Sequence, residues 1–183
     1  AQTNNPTANH LNAVKFIDAN TGWAVGNSGT ILKTTNGGSA WSSQTSGVTH
    51  NLLAVDFIDA NTGWATSDYD GTNAVILKTT DGGTNWATST TTSMATYAID
   101  AIDANDVVVG QDQGNSFGKT NNGGTSWSFN GGAEGIIRGV SMINATNGWA
   151  VGDGGLIKKI TSISQNSVST STQTSGTANN LHG

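Results

Sequence analysis

The apolar positions come in short bursts rather than long stripes. Ala13-Val14-Lys15-Phe16-Ile17 partly alternates, as a strand with one buried face does. Asp18-Ala19-Asn20-Thr21-Gly22 follows as a turn. Then come Trp23-Ala24-Val25, the glycine-bearing Gly26-Asn27-Ser28-Gly29, and Thr30-Ile31-Leu32-Lys33-Thr34. Asn36-Gly37-Gly38 is another turn, and a fourth strand starts near Trp41. Bursts of this length, with turn signals every 8 to 12 residues or so, predict short strands and an all-β fold.

The same phrase returns. Leu11 to Trp41 is repeated by Leu53 to Trp86, more loosely by Tyr97 to Trp127, and in part from Ile137 onward. The first turn recurs at Asp18, Asp59, Asp103 and Asn144, in steps of 41, 44 and 41. The second recurs at Asn36, Asp81 and Asn122, in steps of 45 and 41. Each unit reads as four short antiparallel strands. A unit of that size cannot bury its faces alone and must stack on copies of itself, which predicts β-propeller blades. The repeats are placed at 11–50, 51–94, 95–134 and 135–176 of one repeat domain over 1–183, with 177–183 opening a fifth. Gln173-Thr174-Ser175-Gly176 repeats Gln44-Thr45-Ser46-Gly47, an offset of 129. The expectation is therefore four blades belonging to a larger ring or repeat array, or a unit whose ends a neighbouring copy completes. Because repeat four has lost its second turn motif, its outer strand is expected to be poorly defined.

Thr34 to Trp41, Thr79 to Trp86 and Thr120 to Trp127 resemble the Asp-box, or bacterial neuraminidase repeat: S/T-x-D-x-G-x-x-W, with Asn36 and Asn122 in the Asp place and Asp81 matching fully. The phrase GWAVG followed by GTILKTTNGG is similar to the repeats of photosystem II assembly-factor-like propellers. The resemblance covers about residues 11 to 160 and implies the fold. Within the box, Asn36, Asp81 and Asn122 can accept N–H bonds of their own turns, and Trp41, Trp86 and Trp127 can fold back over them. All six are expected to be structural.

The turns between first and second strands, and between third and fourth, recur almost unchanged. The turns between second and third strands all differ: Gly26 to Gly29, Ser67 to Asn73, Gln111 to Asn115, and Gly152 to Gly155. Variable loops on a rigid scaffold carry function, and the resemblance places ligands mostly at this end. The candidate ligand-binding residues are Asp68, Tyr69, Asp70, Gln111, Asp112 and Asp153. Asp68 and Asp70 are also a weak Ca²⁺ candidate through oxygen ligands; no other metal or cofactor is expected. Asp18, Asp59 and Asp103 are expected to hold turns rather than to form a glycosidase pair. Trp23, Trp64 and Trp149 are expected at blade-to-blade contacts. Lys33, Lys78, Lys119 and Lys158 are expected as edge or surface lysines that discourage sheet pairing.

Composition narrows the function. Charged residues make up 10%, and the net charge is −5, which excludes a nucleic-acid footprint. No stretch approaches 18 apolar residues, so no membrane insertion is expected. Cysteine is absent. The resemblance implies that a sialidase would need an arginine triad, and that the photosystem role is associated with an arginine-rich patch. The chain has a single arginine, Arg138, which counts against both. The opening Ala1-Gln2 and the Thr/Ser/Asn-rich, weakly charged surface suggest a secreted or cell-surface protein. The expected function is a non-catalytic binding or scaffold module for a glycan or protein, in adhesion or display. The runners-up are a fragment of an Asp-box glycoside hydrolase and a structural repeat that assembles as a homo-oligomer or fibre.

Overall fold

A computed structural model describes residues 6–112, 117–130, 135–164 and 167–182. Two compact units divide at residue 93: Ala1–Ser93 and Met94–Gly183. Among the described residues the regular structure is sixteen strands and one 3₁₀ turn at Asp153–Gly155. Among the described residues no helix is long and apolar enough to cross a membrane.

The first unit holds two four-stranded antiparallel meanders. One contains β1 (Leu11–Phe16), β2 (Gly22–Gly26), β3 (Thr30–Thr34) and β4 (Ser42–Gln44). The other contains β5 (Leu52–Phe57), β6 (Gly63–Ser67), β7 (Ala74–Thr79) and β8 (Ala87–Thr92). The second unit repeats the plan. Its first sheet is β9 (Thr96–Ala101), β10 (Asp106–Gln111), β11 (Phe117–Asn121) and β12 (Ser128–Asn130). Its second is β13 (Ile137–Asn144), β14 (Asn147–Gly152), β15 (Leu156–Ser164) and β16 (Ser167–Gln173). These are β-propeller blades, and each blade is a run of consecutive strands.

Two sheets share one apolar core in each unit. In the first, Trp23, Val25 and Ile31 of one blade bury against Leu52, Val55, Phe57, Ala65 and Leu77 of the next. The Trp23 ring lies parallel to Phe57 at 3.6 Å between centroids. Its Nε1–H donates to Gly82 O (3.1 Å), which also accepts from Lys33 Nζ (2.9 Å) and Gln44 Nε2 (3.2 Å). Lys33 lies over the Trp23 ring as well. Lys33 is thus a blade-to-blade tie on an inner strand, correcting the expected edge role. In the second unit Val108 stands in the tryptophan place, and it packs in a core with Phe117, Ile137, Ala150 and Ile160 that Met142 flanks.

The lysine column also needs a correction. Trp23 pairs with Lys33 and Trp64 with Lys78, but Trp149 pairs with Lys159. The fourth member is Lys159, since Lys158 falls opposite Ala150 and is buried. The outer strand of the fourth blade is corrected too. Without a box to force a tight turn, β15 and β16 continue as a long hairpin, with Ile163 beside Val168.

Candidate binding site

The boxes sit at one end of their sheets. Thr79 Oγ1 accepts from Gly83 N (2.8 Å) and donates to Asp81 Oδ1 (2.9 Å). Asp81 takes Asn85 N on Oδ1 (2.9 Å) and Asn85 Nδ2 on Oδ2 (2.7 Å). Asn36 Oδ1 accepts Ala40 N, and Asn122 Oδ1 accepts Ser126 N, both at 2.9 Å. Gly82 and Gly83 have φ of 69° and 89°, a region that an L side chain resists. Trp41 and Trp86 meet Phe16 and Phe57 edge-on at 5.9 and 5.8 Å, while Trp127 lies near-parallel to Phe129 at 6.3 Å. At the same end Asp18 and Asp59 each accept two turn N–H groups at 2.6 to 2.9 Å, and Asp103 does likewise. These backbone bonds hold the Asp18 and Asp59 carboxyls below the usual carboxylate range. Asn144 Oδ1 plays the same part toward Thr146 N.

The opposite end carries the variable loops. Asp68 Oδ1 and Oδ2 accept from Asn51 N (3.0 Å) and Nδ2 (2.7 Å), tying the loop to the incoming link. Asp70 Oδ1 accepts Thr72 N and Asn73 N, and its Oδ2 lies 3.2 Å from His50 Nε2. The Asn73 and Thr72 amides lower the Asp70 pKa. The two carboxylates therefore have separate partners, and no group of three His, Cys, Asp or Glu gathers among the described residues to hold a metal. Tyr69 is 44% exposed, and its hydroxyl donates to Gly71 O.

In the second unit Gln111 is corrected as a contact residue. It lies in β10 opposite Thr96 of β9, is buried, and donates Nε2–H to Thr96 Oγ1 at 3.1 Å. Asp112 is half-buried, and its N–H donates to Ala95 O. The rest of that turn, Gln113 to Asn115, lies outside the described residues. Asp153 is clamped bidentately by Arg138, Nε to Oδ1 and Nη2 to Oδ2, both 3.0 Å. The guanidinium lies over the Tyr97 ring, 4.3 Å from its centroid. The Arg138 hydrogen bonds lower the Asp153 pKa, and the same bonds raise that of Arg138.

Arg138 and Tyr97 were missed by sequence reasoning. Each blade's first strand has a register shift in the same place: between Leu11 and Ala13, Leu52 and Ala54, Thr96 and Ala98, and Ile137 and Gly139. The residue set out by this bulge is Asn12, Leu53, Tyr97 or Arg138. A bulge re-aims a side chain, and Arg138 reaches Tyr97 from the equivalent position one blade on. A signal was available. In the aligned repeats this column holds four unlike residues, while its neighbour holds Ala13, Ala54, Ala98 and Gly139. The loop end thus combines variable turns with a variable column.

A family model described as "Photosynthesis system II assembly factor YCF48" matches residues 1–147. The chain belongs to the YCF48 family. No curated protein matches it. Among solved structures, one titled "YCF48 bound to D1 peptide" is similar at 23% identity and a TM-score of 0.69, covering 92% of this chain and 55% of its own. YCF48 from Cyanidioschyzon merolae is 17% identical with a TM-score of 0.59, covering 94% and 74%. A GH74 enzyme from Niastella koreensis is 15% identical with a TM-score of 0.68, covering 88% and 30%. At these identities the likeness shows the propeller fold. This chain spans about half the length of the first of these relatives. The match overturns the expected secreted or cell-surface location: the YCF48 family is described by photosystem II assembly, not by secretion or display.

Proposed function

We propose that this YCF48-family chain is a non-catalytic binding module whose ligand is a segment of another protein, held at the loop end of the blades. The observation that carries the reading is the family membership, supported by the likeness to a YCF48 titled as bound to D1 peptide. The geometry supports aromatic and charged contact groups at the loop end of each unit taken by itself: Tyr69 in the first, and Arg138, Tyr97 and Asp153 in the second. Asp153 takes Nε and Nη2 of Arg138, and a guanidinium carries five N–H donors, so it can also meet a peptide carbonyl. A guanidinium held flat by an aromatic ring and a carboxylate loses little freedom on binding, which favours recognition. With Arg138 as the only arginine, an arginine-rich patch is not the means of binding here.

Calorimetric titration with a D1 peptide tests this. Saturable binding is expected, and Arg138→Gln is expected to weaken it about tenfold, or about 1.4 kcal/mol. No binding to the peptide, with hits on a glycan array instead, would replace the protein ligand by a glycan. Release of a chromophore from aryl glycosides would replace the binding module by an enzyme.

A further inference from the structure

The two blade joints that lie inside a unit are fastened differently. In the first unit Trp23 Nε1, Lys33 Nζ and Gln44 Nε2 all donate to Gly82 O, in the box of the next blade. Strand register identifies the counterparts in the second unit. Val108 pairs with Lys119 as Trp23 pairs with Lys33, and Phe117 pairs with Asn130 as Ile31 pairs with Gln44. The three donor positions of the third blade therefore hold Val108, Lys119 and Asn130.

The receiving side has changed as well. The fourth blade has no box, and β15 runs as strand from Leu156 to Ser164 across the place that the box would take. Val108 packs against Ile137, Ala150 and Ile160 of the fourth blade. Lys119, its cross-strand neighbour, shares that face. Lys119 is only 2% exposed. Among the described residues it has no hydrogen-bond acceptor and no carboxylate within ion-pair distance. Burial lowers its pKa, with Asp106 opposing. A buried ammonium without a partner destabilises the packing around it, whereas Lys33, with its carbonyl and its ring, does not.

Elsewhere the second joint is bridged. Midway along the strands Met142 N donates to Asp100 Oδ2 at 2.8 Å, where the first joint has the Lys15–Asp56 ion pair at 2.7 Å. At the loop end Arg138 of the fourth blade lies over Tyr97 of the third, 4.3 Å from its centroid. Asp153, also of the fourth blade, holds the guanidinium by two hydrogen bonds. The second joint is thus closed at the loop end and unsatisfied at the box end.

We infer that the joint between the third and fourth blades is a built-in weak joint, kept loose by Lys119 and latched by Arg138 on Tyr97, so that a ligand held by these two residues stiffens it. The two halves of the latch belong to different blades. Opening the joint parts Arg138 from Tyr97, and a ligand bound to both favours the closed form by its differential affinity for it. The weak joint rests on the blade contacts alone. The stiffening rests on the reading of the loop end as a peptide-binding site.

Thermal unfolding and hydrogen exchange of the whole chain test the inference. Lys119→Met keeps a long flexible stem and removes the charge. It is expected to raise the melting temperature by about 2–4 °C, whereas Lys33→Met, which removes a tied lysine, lowers it. Without ligand, Lys119→Met is expected to slow amide exchange in residues 107–109 and 117–119 severalfold, and Arg138→Gln to speed it. Saturating D1 peptide is expected to slow the same amides in the wild type. A Lys119→Met chain that melts no higher than wild type overturns the weak joint. Exchange there that ignores Arg138→Gln overturns the latch. Peptide that binds without slowing these amides overturns the stiffening while sparing the binding reading. Peptide that does not bind refutes the binding reading and the stiffening together, and Lys119→Met then decides the joint alone.

Discussion

Thr79 to Trp86 at one end of the second sheet and Asp68 to Asn73 at the other are both turns in which a carboxylate, Asp81 or Asp70, accepts N–H groups of its own turn. They differ in what is left over. At the box end the large side chains are spent on packing: Trp86 meets Phe57 edge-on, and Phe57 lies under Trp23. At the loop end Tyr69 is exposed, while Asp68 and Asp70 only hold the loop in shape. The second unit has a similar surplus in the Arg138–Tyr97 stack. Repeated chemistry marks the end that builds the blade, and the loop end is where the chemistry differs from blade to blade.

The largest effect should come from breaking the packed end. Phe57→Ala empties a site that is 3% exposed and should cost about 3–5 kcal/mol in denaturant unfolding. Phe16→Ala, at the same place on the outward blade, should cost about 1 kcal/mol or less; equal losses would refute the claim that the neighbouring blade supplies the burial. Next comes Thr79→Val, which leaves the buried Gly83 N–H without its acceptor and should cost roughly 1–3 kcal/mol.

Acid should act on both ends. Backbone N–H groups lower the pKa of Asp18, Asp59 and Asp70, and Asn85 lowers that of Asp81. A lowered folded-state pKa contributes stability above the unfolded-chain value, and that stability is lost as pH falls through the lowered one. Melting temperature should therefore drop between about pH 5 and pH 2, and Asp59→Asn should flatten the acid limb. The smallest stability change, within about 0.5 kcal/mol, is expected for Tyr69→Ala. The same substitution should weaken peptide binding measurably, and unchanged affinity would remove Tyr69 from the site.

The architecture was legible because turn residues recur: Asp18, Asp59, Asp103 and Asn144 need the same backbone geometry in every blade. The box was legible for the same reason. The site was only partly so. Loop variability pointed to Tyr69 and Asp153, but Gln111 was counted as loop when its register with Thr96 makes it strand and core. The bulge that sets out Tyr97 and Arg138 carries no special residue; the aligned repeats show only a variable column there, and strand pairing shows that the column is a bulge. Likewise Lys158 and Lys159 are adjacent lysines, and the register with Trp149 alone says which one faces the ring.

Hydrogen exchange of the whole chain, with and without saturating D1 peptide, tests the division between the two ends most directly. Protection is expected in residues 67–74, 96–98 and 136–140, with the box turns at 35–41, 80–86 and 121–127 unchanged. Protection confined to the box turns would contradict it.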